Sequence, residues 1–402
     1  MIEDERDRKI SRLSVVETVI VILSITFFIR ASNNMVMTSI PLLARYFFNF
    51  TQVDVGIITA LSSATTFITT AFLNARLNSR NRRSAFILSN VIYTAVFIGF
   101  WGSSYITVWI LAAIAGAVFG FMIPNIVTSA GLFKDATVRE RVLSLYTLSL
   151  SLSLVAGPAL ESDLLKFYSL RIVFILFVPF AASSTILSPL IRFPEEGRKV
   201  KKTNVLGNYG FRSAILNIMA YNVPFSLIVA FAGIYERETF GISLSLVTLL
   251  FSLFFFSSFL SRLFLSIKPP RNIRLLMIVA MVMSTVGILM MVTSSDISTF
   301  MVALVILGIP HGLTYPLSVI SIARSFDLGS RNIANSYFFS VMMLIGIFLP
   351  LIGGTLIEFY GFKLTFWLIL LFIILMMFML GLNFLTEEKM RSKSVLSKAS
   401  QP

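Results

Sequence analysis

Two nine-residue stretches decide the fold: Gly116-Ala117-Val118-Phe119-Gly120-Phe121-Met122-Ile123-Pro124 and Gly308-Ile309-Pro310-His311-Gly312-Leu313-Thr314-Tyr315-Pro316. Both carry Gly, Gly and Pro at one spacing, and they lie 192 residues apart. Without a gap, the same offset carries Asp135 to Asp327, Arg139 to Arg331, Pro158 to Pro350 and Phe167-Tyr168 to Phe359-Tyr360. It also carries Arg171 to Lys363 and Phe174 to Phe366. A register held over that many positions marks a chain made of two copies of one unit.

Each copy is nearly all apolar. Of 402 residues, 56% are hydrophobic and 13% charged, where soluble domains carry roughly 25% charged residues, so a soluble globular protein is excluded. A helix that crosses a bilayer needs about 20 mostly apolar residues. Twelve such runs begin near positions 15, 53, 84, 106, 141, 170, 212, 242, 273, 298, 332 and 363. The first, from Val15 toward Leu43, is longer than a signal-peptide core and lacks a small-residue cleavage site, so it is expected to span and to be retained. The polar stretch Arg192 to Arg212, with Pro194-Glu195-Glu196-Gly197, Lys199, Lys201 and Lys202, divides the runs six and six. The expected chain is an all-α integral membrane protein of twelve helices in two pseudo-symmetric six-helix bundles. Its parts are a tail (1–14), a first bundle (15–191), a linker (192–211), a second bundle (212–385) and a closing tail (386–402).

The net charge of +14 sits in the gaps between runs. With twelve spans both termini share a side, and with the termini inside, 27 of the 33 Lys and Arg fall inside. Five fall outside (Arg45, Lys166, Arg171, Arg237 and Lys363), and Arg30 lies within the first run. By the positive-inside rule both tails are expected in the cytoplasm, with the chain in the plasma membrane. The basic excess then reports topology and contact with anionic headgroups of the lipid bilayer, and nucleic acid is not an expected partner. No cysteine and one histidine leave nothing for thiolate or histidine-built metal centres, and no cofactor is expected.

A few polar residues remain inside the runs. Arg30 is followed by Asn33 and Asn34 on the same helical face. A guanidinium offers a rigid fork for a carboxylate, phosphate or sulfonate, so the trio reads either as a clamp for a substrate anion or as an internal ion pair or carbonyl contact. In the seventh run Asn217, Tyr221 and Asn222 precede Pro224, which makes its middle polar and kinked. His311 lies between the breakers Pro310 and Gly312, with Tyr315 one turn on, and Asn125 follows Pro124 in the matching segment. His311 reads as a proton site or as a neutral imidazole satisfied by a freed carbonyl. Asp54, Glu161, Asp163, Glu236, Glu238 and Glu358 all fall near outer ends, where they read as solvated rim charges; Glu161 and Asp54 are kept as coupling candidates. The Phe- and Met-rich runs read as packing and lipid-facing surface.

With this layout the chain resembles the major facilitator superfamily, from the first run to the twelfth. That family's loop after its second helix reads G-x-x-x-D-R-x-G-R-R. Here the place reads Asn74-Ala75-Arg76-Leu77-Asn78-Ser79-Arg80-Asn81-Arg82-Arg83, which keeps Arg82 and Arg83. The counterpart between runs eight and nine, Lys268-Pro269-Pro270-Arg271-Asn272-Ile273-Arg274, keeps only basic charge. The family's G-x-x-x-G-P-x-x-G-G pattern is reduced to Gly157-Pro158 in the fifth run, while the eleventh keeps Pro350, Gly353 and Gly354. An arginine the family often carries before the first glycine of the fourth helix is Ala112 here.

The resemblance implies alternating access, in which two halves rock about a central site and Gly157, Pro158, Pro310, Gly312 and Pro350 let helices flex. It implies gating by Arg82, Arg83, Arg139, Arg274 and Arg331, and it puts the seventh run opposite the first across the cavity. No repeated filter suggests a channel, and no catalytic constellation suggests an enzyme. The leading expectation is a monomeric, proton-linked transporter of a small organic molecule with an anionic group on Arg30, Asn33, Asn34, Asn125, Tyr221, Asn222, His311 and Tyr315. A single arginine suits a carboxylate or amphipathic monoanion better than a dianionic phosphate ester. The alternatives are efflux of lipophilic or cationic compounds by proton antiport, with Arg30 as an internal counter-ion, and an uncoupled facilitator.

Overall fold

The computed structural model describes residues 2–77, 79–130, 136–191, 205–267, 270–326 and 328–399. Every regular element among them is helical. The first half runs α1 (Ile2–Tyr46), α2 (Gln52–Ile68), α3 (Ser79–Trp101), α4 (Thr107–Ala130), α5 (Ala136–Leu165), α6 (Leu170–Leu176) and α7 (Val178–Leu187). The second runs α8 (Tyr209–Leu227), α9 (Gly233–Phe240), α10 (Leu244–Ile267), α11 (Ile273–Thr293), α12 (Ile297–Ser325) and α13 (Leu328–Ala399). By contacts the chain divides into two compact units, Met1–Gly197 with Gly241–Ser252, and Arg198–Phe240 with Leu253–Pro402. The linker call at 192–211 lies outside the described residues as far as 204, as do Asp135, Asp327, Lys268 and Pro269.

Helix boundaries differ from the twelve runs where proline or glycine intervenes. The sixth run is broken into α6 and α7 at Phe177, because Pro179 enters the next turn without an N–H. The seventh is broken into α8 and α9 by a π turn, Ile228–Ala232, that follows Pro224. Conversely, the last two runs are continuous as α13 except at Gly361, whose φ of 80° and ψ of 164° are not helical. Among the described residues, eleven stretches are long and apolar enough to cross a membrane, the last being Ile333–Met390 with 58 residues. At 1.5 Å per residue that is about 87 Å of helix, enough for two crossings of a ~30 Å core. With the chain turning at Gly361, the fold has twelve spans.

The duplication is visible in the packing. A Cβ added at Gly116 or Gly120 of α4 would collide with the carbonyls of Ser62 and Thr66 on α2. One added at Gly308 or Gly312 of α12 would collide with those of Phe254 and Ser258 on α10. Those carbonyls are themselves 192 residues apart, so each unit holds one helix pair by the same backbone approach, possible only where no side chain intervenes. Gly157 plays a similar part between α5 and α1, where a Cβ would meet the Ala31 carbonyl, so close packing explains that glycine.

Candidate functional site

The two units present different chemistry, and each is described on its own. In the first, Arg30 sits on α1, half-buried, with its guanidinium carbon 5.3 Å from the centroid of the Phe119 ring on α4. Its Nε is buried without a hydrogen-bond partner, and it makes no hydrogen bond or ion pair among the described residues. Asn33 and Asn34 are buried beside it in sequence, and Asn34 Nδ2 also lacks a partner. From α3, Tyr93 is 1% exposed, within electrostatic reach of Arg30, and its hydroxyl is a third unpartnered group. These three groups can all donate, so the place seeks an acceptor. Among the described residues, Arg30 does not form the internal ion pair expected as its alternative.

About two turns further along α1, Thr38 Oγ1 donates to Glu161 Oε2 of α5 at 2.7 Å, and Ser39 Oγ donates to Oε1. Glu161 is 0% exposed, and Glu236 on α9 is also 0% exposed, so neither is the solvated rim charge expected at those positions. The reason is packing: α1 covers the last turn of α5, and helix ends counted along a sequence do not reveal it. Asp54 instead completes a capping box at the start of α2, accepting from Thr51 N–H and Oγ1.

In the second unit His311 lies on α12 among four aromatic rings. Centroid distances are 5.7 Å to Tyr221, 4.5 Å to Phe225, 5.3 Å to Phe254 and 5.6 Å to Phe255. Its Nδ1 is 2.8 Å from Ser258 Oγ of α10, so its partner is a hydroxyl and not a carbonyl freed by Pro310. The carbonyl of Pro310 itself accepts from Thr314 Oγ1. Tyr221 donates to the Leu307 carbonyl at 3.0 Å, and Asn217 Nδ2 donates to Thr314 O and Ser318 Oγ, both at 2.9 Å. Asn222 makes a 3.4 Å contact to the Met342 carbonyl, and Tyr315 packs on Phe338 and Phe339. Arg262, which a loop count assigns outside the run, lies within α10 and acts electrostatically on both His311 and Tyr221.

Several expected site residues are occupied elsewhere. Asn125 Nδ2 donates to Asn74 Oδ1 at 2.8 Å and ties α4 to the turn after α2. Arg82 donates to the Leu77 carbonyl and Arg83 to the Pro189 carbonyl, each at 2.9 Å. Arg274 pairs with Glu387 at 2.9 Å and lies over the Phe384 ring, inside its own unit. The side chains of Arg139 and Arg331 lie outside those described. Sequence reasoning missed Tyr93, Phe119, Ser258 and Arg262. Only Phe119 had a signal, since it stands 192 residues before His311.

A family model described as the Major Facilitator Superfamily matches residues 22–268 and 210–401. No curated protein matches the chain in sequence. Among solved structures, a bacterial homolog of the human lysosomal transporter Spinster, inward-facing and occupied, is 14% identical with a TM-score of 0.71. That match covers 92% of this chain and 96% of that one. The human organic anion transporter MFSD10 (TETRAN) is 13% identical, with a TM-score of 0.70 and coverage of 91% and 99%. A D-xylose-proton symporter is 12% identical, with a TM-score of 0.73 and coverage of 91% and 97%.

Proposed function

Because the chain belongs to the major facilitator superfamily, we propose that it is a secondary transporter of a small organic monoanion, working by proton-linked alternating access. The observation that carries this reading is Arg30, an arginine inside a membrane span with no hydrogen bond or ion pair among the described residues. A lone charge at mid-bilayer costs about 2.5–3.5 kcal/mol on insertion scales and persists only with a compensating role. Asn34 Nδ2 and the Tyr93 hydroxyl point to the same ligand chemistry, since each can donate to a carboxylate. Glu161 supplies a buried carboxyl for proton coupling, and His311 a second titratable group. In this reading both termini are cytoplasmic, the membrane is the plasma membrane, and the protein acts as a monomer.

A second reading, movement of lipophilic compounds without an anionic group, draws support from the aromatic rings around His311. One experiment separates the two. Purified protein in detergent is melted with benzoate-type carboxylates, quaternary ammonium ions and neutral aromatics, as wild type and as Arg30→Met. A ligand at 100 times its dissociation constant adds about 2.7 kcal/mol. Stabilisation by carboxylates in the wild type alone supports the anion reading; equal stabilisation of both proteins by cations or neutral aromatics overturns it.

A further inference from the structure

Among the described residues two acids, Glu161 and Glu236, are fully buried, and they differ in what surrounds them. Glu161 accepts two hydroxyl hydrogen bonds, whereas both oxygens of Glu236 are buried and have no hydrogen-bond partner among the described residues. Glu236 lies on α9, four residues past the π turn Ile228–Ala232. The residues leading to it, Ile228, Val229, Phe231 and Ile234, are buried and apolar. Tyr235 next to it stacks on Phe362 at 3.9 Å and contacts Phe300 at 5.7 Å, so α12 and α13 bring aromatic surface to this end of the unit.

Charges nearby do not compensate it. On its own helix Arg237 is half-buried and Glu238 exposed; on α12 Asp296 caps the first turn and is exposed; on α13 Glu358 and Lys363 are exposed. A carboxylate ion stripped of water and given no donor is strongly disfavoured against its neutral acid. A metal cation is a poor remedy, since hard cations take about six or more oxygen ligands, and no group of three acidic, His or Cys side chains occurs among the described residues. A proton needs only the carboxyl itself.

We propose that Glu236 is a proton-binding site of the second unit, holding a neutral carboxylic acid while α9 is packed and releasing its proton to water when the transport cycle wets that end. The π turn behind it gives α9 a place to move, as such turns often do at functional sites. The assignment does not depend on which substrate Arg30 takes.

The test is infrared spectroscopy of the full chain in lipid nanodiscs, comparing wild type with Glu236→Gln and, to identify the other buried acid, Glu161→Gln. At neutral pH the wild type is expected to show a protonated-acid C=O band that is missing from Glu236→Gln and present in Glu161→Gln. That band should shift in D2O without unfolding and fade reversibly in alkaline buffer. No Glu236-dependent band at neutral pH means an ionised carboxylate and overturns the proposal. A band that neither exchanges nor fades in the folded protein makes the proton permanent and overturns it as well. Melting in sodium against potassium chloride supplies the remaining arm: a sodium-specific rise in Tm that Glu236→Gln abolishes would replace the proton with a metal cation.

Discussion

Phe119 and His311 hold one position in the two halves, 192 residues apart, each three residues past a glycine that packs on a carbonyl of the neighbouring helix. Arg30 lies over the first ring, and Phe225 lies against the second at 4.5 Å. The position that repeats Arg30 is Asn222, which carries no charge. The duplicated scaffold therefore holds a cation in one unit and an aromatic cluster with a hydroxyl-bound imidazole in the other. Divergence at a few matched positions gives the two units different side-chain chemistry at equivalent places in the repeat.

Tyr93→Phe tests the donor set around Arg30. In the ligand-free protein the Tyr93 hydroxyl is buried and unpartnered, so its removal should leave the Tm unchanged or raise it by an amount matching about 1 kcal/mol. Affinity for carboxylates that stabilise the wild type should fall about 10-fold or more, since hydrogen bonds to charged groups contribute about 1.5–3 kcal/mol. Unchanged carboxylate affinity, measured by the ligand concentration dependence of Tm, would remove Tyr93 from the site.

The spans and the internal repeat were readable because both depend on composition and spacing along the chain. The glycines at offset 192 even indicate which helices approach, and the α2–α4 and α10–α12 contacts obey that register. Hydrogen-bond partners were not readable in this way. Asn125 stands in a repeated segment that looked functional, yet its partner Asn74 is 51 residues away on a turn. A count of inside loops includes Arg262, whereas α10 continues to Ile267. Glu161 and Glu236 sit near helix ends in sequence, but burial depends on how neighbouring helices are rotated, which periodicity within one helix does not encode.

Glycine substitutions should separate packing from mere helix propensity. Gly308→Ala forces a methyl group against the Phe254 carbonyl, which is backbone and cannot swing aside, and should cost about 1–3 kcal/mol. Gly381→Ala meets nothing within 4 Å and should be neutral or gain about 0.5–1 kcal/mol through helix propensity. Thermal melting in one detergent compares the two directly. Equal effects would mean that the α10–α12 approach is not close.

Asp296 supplies the acid-side pH dependence. It caps α12, accepting from Thr299 N–H at 2.9 Å and Thr299 Oγ1 at 2.8 Å, and these donors hold its carboxyl below the usual range. A group lowered on folding stabilises the fold above its unfolded pKa of about 3.9 and loses that contribution as pH falls through the folded value. Tm should therefore drop below about pH 4 in the wild type. Asp296→Asn, which keeps a capping oxygen but does not titrate, should show a shallower drop. Parallel acid limbs in the two proteins would exclude the cap as a contributor.

The Glu161 cluster can be examined as a closed set. Thr38→Val with Ser39→Ala removes both donors while keeping the shape of α1, leaving a buried carboxyl with no partner. Each unmade hydrogen bond at a buried group costs about 1–3 kcal/mol, so the double variant should melt well below the wild type. Adding Glu161→Leu removes the acceptor as well, and replacing both sides of a buried polar contact by apolar groups is nearly neutral. The triple variant should thus recover most of the lost Tm, a coupling that single substitutions do not display. If the triple variant melts as low as the double, the two hydroxyls support α1 by some contact other than Glu161. Proton-linked uptake should fail in the triple variant even though its Tm is restored, which separates the carboxyl's role in coupling from its place in the fold.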